Sequence, residues 1–374
     1  MSVTSHLETA TDKGVICVNQ ERLERIVRRM KEDGLQQLVL SDPSTMEYVL
    51  GYPLSPMERM YAMVVSTERE PVLLLNDLFV IPDGVPVRQV RYFDTDDSAA
   101  VLAAQLDKNS VCGVEKTFIA KLLLALQESG AAKGFVNASP IVDTVRACKS
   151  PDEAQKMRES SKINDAVMDR LVAYIKEGMT ELELADIIKN IFVECGADKA
   201  GFAIVAFGAN AADPHHRNDN TRLKSGDCVL IDMGCVKNGY YSDMTRTFFF
   251  KTVSDRQREV YDLVLKANLD AEAMVAPGVR FCDIDKAARD VITQGGYGPR
   301  FIHRLGHSIG MNEHEAGDVS SANTDPVLPG MTFSIEPGIY LPGEFGVRIE
   351  DLVIVTEDGC EALNAYPHEL EVLG

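Results

Sequence analysis

Two carboxylates in the second half of the chain are spaced so that they could share one ligand. Asp232 directly follows the apolar, strand-forming run 229–231, and the Asn-Gly pair at 238–239 then predicts a two-residue hairpin turn. With that turn, Asp243 faces Gly234 across the hairpin, and Asp232 lies on the same face two residues away. Two carboxylates that point into one apolar space repel each other unless a proton or a cation lies between them. The hairpin therefore predicts a shared site for the two acids, unless a β-bulge shifts the register.

The spacing of glycine, isoleucine and acid in this stretch occurs a second time. The motif Gly-x4-Ile-acid, which ends at Asp232, recurs with its acid at Glu336. In each copy another acid follows on the predicted return strand, Asp243 in the first and Glu350 in the second. Because the same predicted order of helix, helix, strand and hairpin surrounds both copies, we expect two duplicated half-domains related by a pseudo-twofold axis. The four acids would then meet at the centre of this arrangement.

The histidines cluster near these acids, since five of the seven lie between His215 and His314. Four carboxylates with one histidine would form an oxygen-rich site for two divalent metal ions, because two such ions neutralise four negative charges. Paired ions about 3.5–4 Å apart can share a hydroxide and polarise a carbonyl oxygen. Hard oxygen ligands favour Mn²⁺ over a metal that prefers thiolates, with Co²⁺ or Zn²⁺ as alternatives. A single acid at a strand end is more often a turn cap or a surface residue, so the prediction depends on the repeated arrangement.

The composition is that of an acidic globular protein. The chain has 374 residues, of which 45% are hydrophobic and 25% charged, and this length favours two domains. Its net charge of -19 argues against nucleic acid and anionic membranes as partners. No apolar run approaches the roughly 18 residues of a membrane-spanning helix. The eight cysteines form no CxxC pair, which removes thiolate zinc sites and indicates free thiols in a reducing cytoplasm.

The pattern of predicted helices and strands divides the chain into three segments. Residues 1–18 form a polar leader. Residues 19–149 alternate short strands with helices and so predict a small α/β domain. Because this domain holds no histidine and no acids clustered at strand ends, we expect it to be a scaffold, a lid or an oligomer surface. Ser150-Pro151-Asp152-Glu153 forms a helix capping box, and residues 150–374 carry the two half-domains.

The individual elements can be placed from hydrophobic periodicity and capping residues. In the first domain we predict helices over 21–32, 98–106 and 118–128, a strand pair across 61–75, and strands over 37–40, 87–93 and 111–114. In the second we predict helices over 151–176, 181–195, 255–274 and 283–292, a strand over 202–207, the hairpin 229–250 and a strand pair that ends the chain.

The same residues resemble the metal-site motifs of a known family. Five motifs carry the resemblance: IDMG (231–234), YSDMTR (241–246), HRLGHSIGMNEHE (303–315), SIEPG (334–338) and VRIED (347–351). They are similar, in type and order, to those of the pita-bread metallopeptidases, which include methionine aminopeptidase, aminopeptidase P and prolidase. The resemblance covers the chain from about residue 19. It implies an α/β (α+β) fold, in which a small N-terminal creatinase-like α/β domain precedes a pita-bread domain with pseudo-twofold duplicated helix-helix-hairpin halves.

The resemblance also implies which residues hold the metal ions. Asp232 would bind one ion, and His307 with Glu336 the other. Asp243 and Glu350 would bridge the two. A hydroxide between the ions would attack the scissile carbonyl, and Glu336 would take its proton as general base.

Further residues resemble the family's substrate and catalytic groups. His215 matches the histidine that stabilises the tetrahedral oxyanion, and His216 is the neighbour that could be confused with it. His303 and His314 match pocket histidines near the leaving proline, where a histidine can protonate the leaving nitrogen. Arg348 either clamps the carboxylate of the substrate or orients the metal-binding acids.

Glu313 departs from the family pattern, which usually has an aliphatic residue there, and this change affects the pocket beside His314. In length the chain resembles the short bacterial prolidases more than aminopeptidase P. The resemblance therefore implies a cytoplasmic, homodimeric Xaa-Pro dipeptidase that acts on short proline-containing peptides. The alternatives are an aminopeptidase P that trims longer peptides, a metal-free enzyme of the creatinase type, and a peptide-binding module that has lost catalysis. The last two predict losses among the five ligand-type residues, and all five are present.

Overall fold

The structure, a computed structural model, describes residues 19–81 and 87–374. The predicted leader, residues 1–18, lies outside the described residues. The chain forms two compact units that divide between Val145 and Arg146. None of the helices in the described ranges combines the length and the apolar character needed to cross a membrane.

The first unit is built on a six-stranded mixed sheet. Its first helix is amphipathic and buries Leu23, Ile26 and Met30, while Asn19 caps it by accepting the N–H of Arg22. The elements run α1 (Gln20–Glu32), β1 (Gln37–Leu40), α2 (Pro43–Leu50), β2 (Tyr61–Ser66), β3 (Val72–Asn76), β4 (Arg88–Tyr92), α3 (Ser98–Ala103), β5 (Val111–Val114), α4 (Ala120–Glu128), β6 (Gly134–Asn137) and α5 (Ser139–Ala147). The strand order is β4-β3-β2-β1-β5-β6. The predicted α/β class is confirmed, although α2, β6 and α5 were not predicted.

The second unit begins with the predicted capping boxes, and both are formed. Ser150 and Glu153 cap one helix reciprocally, and Thr180 and Glu183 cap the next. The elements of the first half are α6 (Pro151–Leu171), α7 (Glu181–Glu194), β7 (Lys199–Phe207), β8 (Cys228–Lys237), β9 (Tyr240–Tyr241) and β10 (Met244–Phe250). The predicted helix 151–176 is too long, because the chain tightens into a 3-10 turn over Val172–Tyr174.

The second half repeats the two helices and then continues in short strands. Its elements are α8 (Asp255–Met274), α9 (Phe281–Gln294), β11 (Gly306–Ser308), β12 (Glu315–Val319), β13 (Thr332–Ile335), β14 (Gly338–Leu341), β15 (Phe345–Arg348), β16 (Asp351–Val355), β17 (Cys360–Ala362) and β18 (Val372–Leu373). One sheet has the strand order β18-β10-β8-β7, and β9 also pairs with β8. A second sheet has the order β12-β11-β13-β16-β17, and β14 and β15 form a third. An isolated bridge between Thr245 and Glu350 joins the two halves. The prediction of a single closing strand pair was therefore too simple.

The predicted hairpin turn and its register are both present. Asn238 and Gly239 have φ values of 51° and 78°, as a type I′ turn requires. Lys237 pairs with Tyr240, and beyond the turn Met233 pairs with Met244, so the register is the predicted one. The return strand, however, is broken at residues 242–243, between β9 and β10.

Gly234 explains how the chain passes this break. A Cβ at position 234 would lie 2.2 Å from the backbone oxygen of Ser242, so only glycine allows the two strands to approach this closely. The N–H of Ser242 donates to the backbone oxygen of Cys235 at 2.9 Å, which holds the interrupted segment against β8. Asp243 is thereby released from the ladder while it stays beside β8.

Candidate metal centre

One cavity of the second unit, of about 420 Å³, collects every site residue that the sequence predicts. Nine predicted residues line it: His215, Asp232, Asp243, His303, His307, His314, Glu336, Arg348 and Glu350. The other lining residues are Phe202, Ile204, Pro214, Arg304 and Glu313. The volume is typical of a pocket that holds a small ligand.

The ligand-type residues come from strands and from the breaks between them. Asp232 lies in the middle of β8, rather than at a strand end as the sequence suggested. Asp243 lies in the break before β10, and Glu336 directly follows β13. Glu350 lies between β15 and β16, and His307 lies in β11. Asp243 and Glu336 lie outside the strand ladders, Glu350 makes only an isolated bridge to Thr245, and Asp232 is paired within β8. The side chains of all four acids nevertheless line one cavity.

Three of these residues form a compact set of metal-ligand atoms. Asp243, His307 and Glu350 are all buried, and each offers one ligand atom within 4.8 Å of the others. Glu336 stands next to them, because its Oε1 lies 3.6 Å from His307 Nε2. Ser334 holds two of the residues in place: its Oγ donates to Glu336 Oε1 at 3.0 Å and accepts the backbone N–H of His307 at 3.0 Å.

The hydrogen bonding and the pKa values of the acids indicate that they could bind a cation. Asp232 Oδ1 and Asp243 Oδ1 are buried and have no hydrogen-bond partner within the described part of the chain. Burial and the negative charges of the neighbouring acids raise the pKa of Asp243 well above its usual value. The same causes raise the pKa of Glu350. Since a bound cation removes both penalties, this donor set fits divalent metal ions.

The histidine of the set presents the right nitrogen. His307 Nδ1 lies 3.2 Å from the backbone oxygen of Ser308, a contact in which the nitrogen must donate. This assigns the free lone pair to Nε2, which faces Asp243 Oδ2 at 3.8 Å and Glu336 Oε1 at 3.6 Å. Both distances exceed a hydrogen bond. Burial, reinforced by the nearby His314, lowers the pKa of His307 to about 3, so the ring is neutral, as a metal ligand must be.

Arg348 lies at the centre of a hydrogen-bond network behind the acids. Its NH2 donates to Asp232 Oδ2 at 2.6 Å, and its Nε donates to Thr245 Oγ1 at 3.1 Å. Its NH1 donates to the hydroxyl of Tyr340 at 3.0 Å and to the backbone oxygen of Pro214 at 3.4 Å. Most N–H donors of the guanidinium are therefore used within the protein. Of the two roles left open for Arg348, this geometry favours the orientation of a metal-binding acid.

His303 belongs to the same network. Its Nδ1 donates to the backbone oxygen of Arg304 at 2.6 Å, and its Nε2 accepts the hydroxyl proton of Tyr340 at 2.8 Å. Burial, with the charge of Arg348 nearby, lowers the pKa of His303 to about 4. The ring is thus neutral, and both of its nitrogens are engaged in hydrogen bonds within the protein.

His314 stacks on His307, with ring centroids 3.8 Å apart and an interplanar angle of 16°. Arg304 NH2 lies 3.2 Å from His314 Nδ1. Because a guanidinium can only donate, Nδ1 is the acceptor and the ring proton lies on Nε2. Arg304 also pairs with Asp318. Glu313 Oε1 lies 3.9 Å from His314 Nε2, and its carboxylate has no arginine or lysine partner within the described residues.

The two adjacent histidines 215 and 216 are clearly separated in space. His215 is exposed and lines the cavity. His216 points elsewhere, since its Nε2 lies 2.6 Å from Glu181 Oε2. The ambiguity between the two histidines is thereby resolved in favour of His215 as the residue at the cavity.

The sequence analysis missed several residues that shape the site. Thr245, Ser334 and Arg304 lie inside the quoted motifs, next to predicted site residues, so the signal was present. Tyr340 reaches the site only through the pairing of β14 with β15, and nothing in its local sequence indicates this position. The sequence analysis also did not predict that His368 Nε2 would lie 2.7 Å from the buried Asp351.

Two other clusters of acids and histidines lie outside the cavity. In the first, Glu181 with His216 and Asp219, the Glu181 carboxylate is fully occupied by hydrogen bonds. In the second, the acids of Glu272 and Asp351 meet His368, and Asp351 is further paired with a buried arginine. Neither cluster combines orphaned oxygens from several acids, as the cavity does.

Comparison with known proteins identifies the family of the chain and agrees with its fold. Residues 155–357 match the metallopeptidase family M24, and residues 22–148 match the creatinase/prolidase N-terminal domain. The chain belongs to metallopeptidase family M24. Its fold is that of the pita-bread metallopeptidases, and it is a metal-dependent peptidase.

Individual relatives point in the same direction. The chain is 36% identical over 357 residues to an uncharacterized peptidase of Staphylococcus saprophyticus, which covers 92% of this chain and 99% of that protein. The structure of a dipeptidase from Mycobacterium ulcerans is similar at 33% identity, with a TM-score of 0.89 and coverage of 95% of this chain and 98% of that one. An Xaa-Pro dipeptidase from Bacillus anthracis is similar at 30% identity, with a TM-score of 0.83 and coverage of 94% and 99%.

Proposed function

We propose that this metallopeptidase hydrolyses Xaa-Pro dipeptides with two divalent metal ions, most simply Mn²⁺. One observation carries the proposal. Five ligand-type side chains converge in one cavity, where two buried carboxylate oxygens lack partners. The similarity to structures described as dipeptidases and as an Xaa-Pro dipeptidase supports the choice of substrate. A homodimer and a cytoplasmic location remain part of the proposal.

The residues that would hold the ions are those with free ligand atoms. Asp232 would hold one ion, and His307 with Glu336 the other, while Asp243 and Glu350 would bridge them. Two such ions supply an activated water as nucleophile and polarise the scissile carbonyl. Ser334 holds the Glu336 carboxylate through a 3.0 Å hydrogen bond, so that it is in place to accept the proton of the attacking water.

The histidines of the cavity would act on the substrate. His215, at the exposed edge of the cavity, would donate from its imidazole to the oxyanion. His314 carries its ring proton on Nε2, since Nδ1 accepts from Arg304. This N–H would hydrogen-bond the bound peptide, while the proton that Glu336 accepts from the attacking water would pass to the leaving nitrogen of the proline. His303, fixed by Tyr340, would pack against the proline ring.

The carboxylate of the substrate needs a cation with free donors. Most N–H donors of Arg348 already form hydrogen bonds with Asp232, Tyr340 and Thr245. We therefore propose that Arg348 orients Asp232. Arg304 lies in the cavity lining with 35% of its side chain exposed. We propose that Arg304, rather than Arg348, recognises the free carboxylate of the proline residue.

An Xaa-Pro bond suits such a site. The tertiary amide before proline has no N–H and is conformationally restricted, so a peptidase that binds this N–H loses a contact. A site that acts on the carbonyl needs only to protonate the leaving ring nitrogen. The five ligand-type residues, the proton donor and a cation for the carboxylate meet this requirement.

The direct test is a substrate panel measured with and without added Mn²⁺. Hydrolysis of Gly-Pro, Ala-Pro and Leu-Pro, with little hydrolysis of Ala-Pro-Ala, would support a dipeptidase. Equal rates on Ala-Pro and Ala-Pro-Ala would favour the rival activity of an aminopeptidase P. No hydrolysis of any of these peptides with metal present would leave the peptide-binding module as the better description.

A further inference from the structure

Glu181 is a buried acid outside the cavity, and both oxygens of its carboxylate take part in two hydrogen-bond contacts each. It is the first residue of α7 and has no solvent-exposed surface. Its Oε1 accepts the backbone N–H of Phe207 at 2.8 Å and the side-chain Nδ2 of Asn210 at 2.9 Å. Its Oε2 lies 2.6 Å from His216 Nε2 and accepts the backbone N–H of Asp219 at 3.0 Å. A single carboxylate thus binds four points of one segment.

That segment is the connection from β7 to β8, and it carries His215. The four partners of Glu181 run from Phe207, the last residue of β7, to Asp219, four residues after His215. The backbone N–H of His215 donates to Asp213 Oδ1 at 3.0 Å. Its ring, by contrast, faces the cavity. The position of the ring therefore depends on how firmly the surrounding segment is held.

The carboxylate is well suited to this task. It lies at the N-terminus of α7, where the helix dipole stabilises a negative charge. Its hydrogen bonds are charge-assisted and therefore stronger than those between neutral groups. A second contact, between Asn218 and the backbone of Val205 and Ala203 in β7, holds the same segment from its other side. The bond to His216 directs that side chain towards α7, while the adjacent His215 remains at the cavity.

We propose that Glu181 is a positioning residue: with His216 it holds the β7–β8 connection so that the His215 imidazole stands at the cavity in place to donate to the substrate. Glu181 touches neither the substrate nor any of the proposed metal ligands, and its effect passes through His215. This inference rests on the proposed role of His215 in stabilising the oxyanion.

Glu181→Gln is the first variant to test. The amide oxygen can still accept from Phe207 and Asn210, whereas the amide nitrogen cannot accept from the N–H of Asp219. We expect kcat for Ala-Pro to fall by about 10- to 100-fold, as is usual when a supporting hydrogen bond is lost. KM and the metal content should stay within about twofold of the original values, because Glu181 contacts none of the proposed metal ligands.

Glu183→Gln is the matched control. Glu183 lies on the same turn of α7 and caps the helix by accepting the N–H of Thr180 at 2.8 Å, and it forms no hydrogen bond with the β7–β8 connection among the described residues. Its substitution should weaken the helix cap and leave kcat unchanged. A similar loss of kcat in both variants would mean that α7 as a whole, and not the Glu181 carboxylate, is responsible, and would overturn the proposal.

A double-mutant cycle with His215→Ala decides whether Glu181 acts through His215. If it does, Glu181→Gln has little further effect once His215 is removed, and the double variant has the kcat of His215→Ala alone. If the two losses multiply, or if Glu181→Gln loses metal, the inference is wrong. If Glu181→Gln does not fold, His216→Phe replaces it in the cycle, since it breaks the bond from the other side.

The cycle also separates this inference from the proposed function. If His215→Ala leaves kcat unchanged, the oxyanion role of His215 fails, and the role of Glu181 fails with it. If His215→Ala lowers kcat but the effects multiply, His215 keeps its role and only the inference about Glu181 is rejected.

Discussion

Thr245 and Glu350 join the return strands of the two half-domains at the metal centre. Thr245 Oγ1 donates to Glu350 Oε2 at 2.6 Å, and the backbone N–H of Glu350 donates to the backbone oxygen of Thr245 at 3.1 Å. One residue of the first half thus fixes both the backbone and the carboxylate of an acid in the second half. The two halves cannot separate without moving this acid.

The first prediction concerns this contact. Thr245→Val keeps the shape of the side chain but removes the hydroxyl, so the Glu350 carboxylate loses its orientation. We expect metal affinity to fall by about 10- to 100-fold, measured by metal titration of chelator-treated protein. Thr247→Val is the control, because Thr247 Oγ1 contacts only the backbone of Arg348 among the site residues. Equal losses in both variants would refute a specific role for Thr245.

Metal removal should abolish hydrolysis, because the described residues that line the cavity include no serine, threonine, cysteine or lysine that could replace an activated water. Dialysis against a chelator should remove the activity, and Mn²⁺ or Co²⁺ should restore it. Full activity in protein shown by elemental analysis to be metal-free would reject the proposed dinuclear centre.

The proposed ligands and the proposed oxyanion donor should separate by metal content. Asp243→Asn and Glu350→Gln should bind metal poorly, because each removes a bridging carboxylate. His215→Ala should bind metal normally, while kcat falls by roughly 10²–10³ as for the loss of one oxyanion donor. Metal analysis of the three variants is the measurement. A metal-poor His215→Ala protein would show that the roles are wrongly assigned.

Arg304 and Arg348 should respond differently to the charge of the substrate. Arg304→Ala should raise KM for Ala-Pro and leave KM for Ala-Pro-amide nearly unchanged, because only the first substrate carries the carboxylate. Arg348→Lys should impair both substrates and lower the metal content, because it disturbs Asp232. If Arg348→Lys raised KM for Ala-Pro alone, Arg348 would be the carboxylate clamp.

Glu313 should influence the residue that the enzyme prefers before proline. Its carboxylate faces the cavity and pairs with no arginine or lysine among the residues that the structure describes, so a positively charged side chain on the substrate can pair with it. We expect Glu313→Gln to lower kcat/KM for Lys-Pro relative to norleucyl-Pro by roughly two- to fivefold, since a partly exposed ion pair is worth about 0.2–1 kcal/mol. An unchanged ratio of the two substrates would exclude this effect.

Glu315 should make stability depend on pH. Burial opposes its ionisation, but Lys149 and Arg146 prevail and hold the pKa of Glu315 below its usual value. A group with a lowered pKa in the folded state stabilises the protein above the unfolded pKa, and this stabilisation is lost as the pH falls through the folded pKa.

The variant Glu315→Gln removes the carboxylate that pairs with the buried Arg146 and Lys149. We expect it to lose about 3–5 kcal/mol of stability at pH 7, as when a buried ion pair is broken. The difference from the original protein should shrink below about pH 4, near the unfolded pKa of glutamate. Denaturant unfolding of both proteins at several pH values, with chelator present, tests this. A difference that is independent of pH would contradict it.

Turn residues and capping residues predicted the hairpin turn and the starts of two helices correctly. The turn at 238–239 fixed the hairpin register, because an Asn-Gly pair accepts the left-handed backbone of a type I′ turn. The capping boxes at Ser150 and Thr180 likewise predicted where two helices begin. The helix α2 was not predicted, although Asp42 and Pro43 form a start signal for it. The predicted domain boundary at residue 150 stays a prediction.

Features that depend on distant contacts could not be predicted. The break at 242–243 arises from the close approach of Ser242 to Gly234, and the engagement of Arg348 depends on Asp232 and Tyr340, which lie far apart in the sequence. Among the short strands after residue 306, β11 pairs with β13, β13 with β16 and β18 with β10, although other strands lie between the two partners in the sequence. Residue types therefore indicated which side chains meet in the cavity, whereas the partners behind them emerged only from the fold.

The contact at Gly234 couples a backbone position to the metal centre in a way that matters for how this sequence can change over time. A side chain at position 234 would collide with the backbone oxygen of Ser242, and Asp243, the next residue, would move with it. The hairpin and the acid therefore cannot drift independently. A substitution at this position would therefore disturb the candidate metal centre together with the hairpin, so evolution is expected to keep glycine here for the sake of the acid as well as the fold.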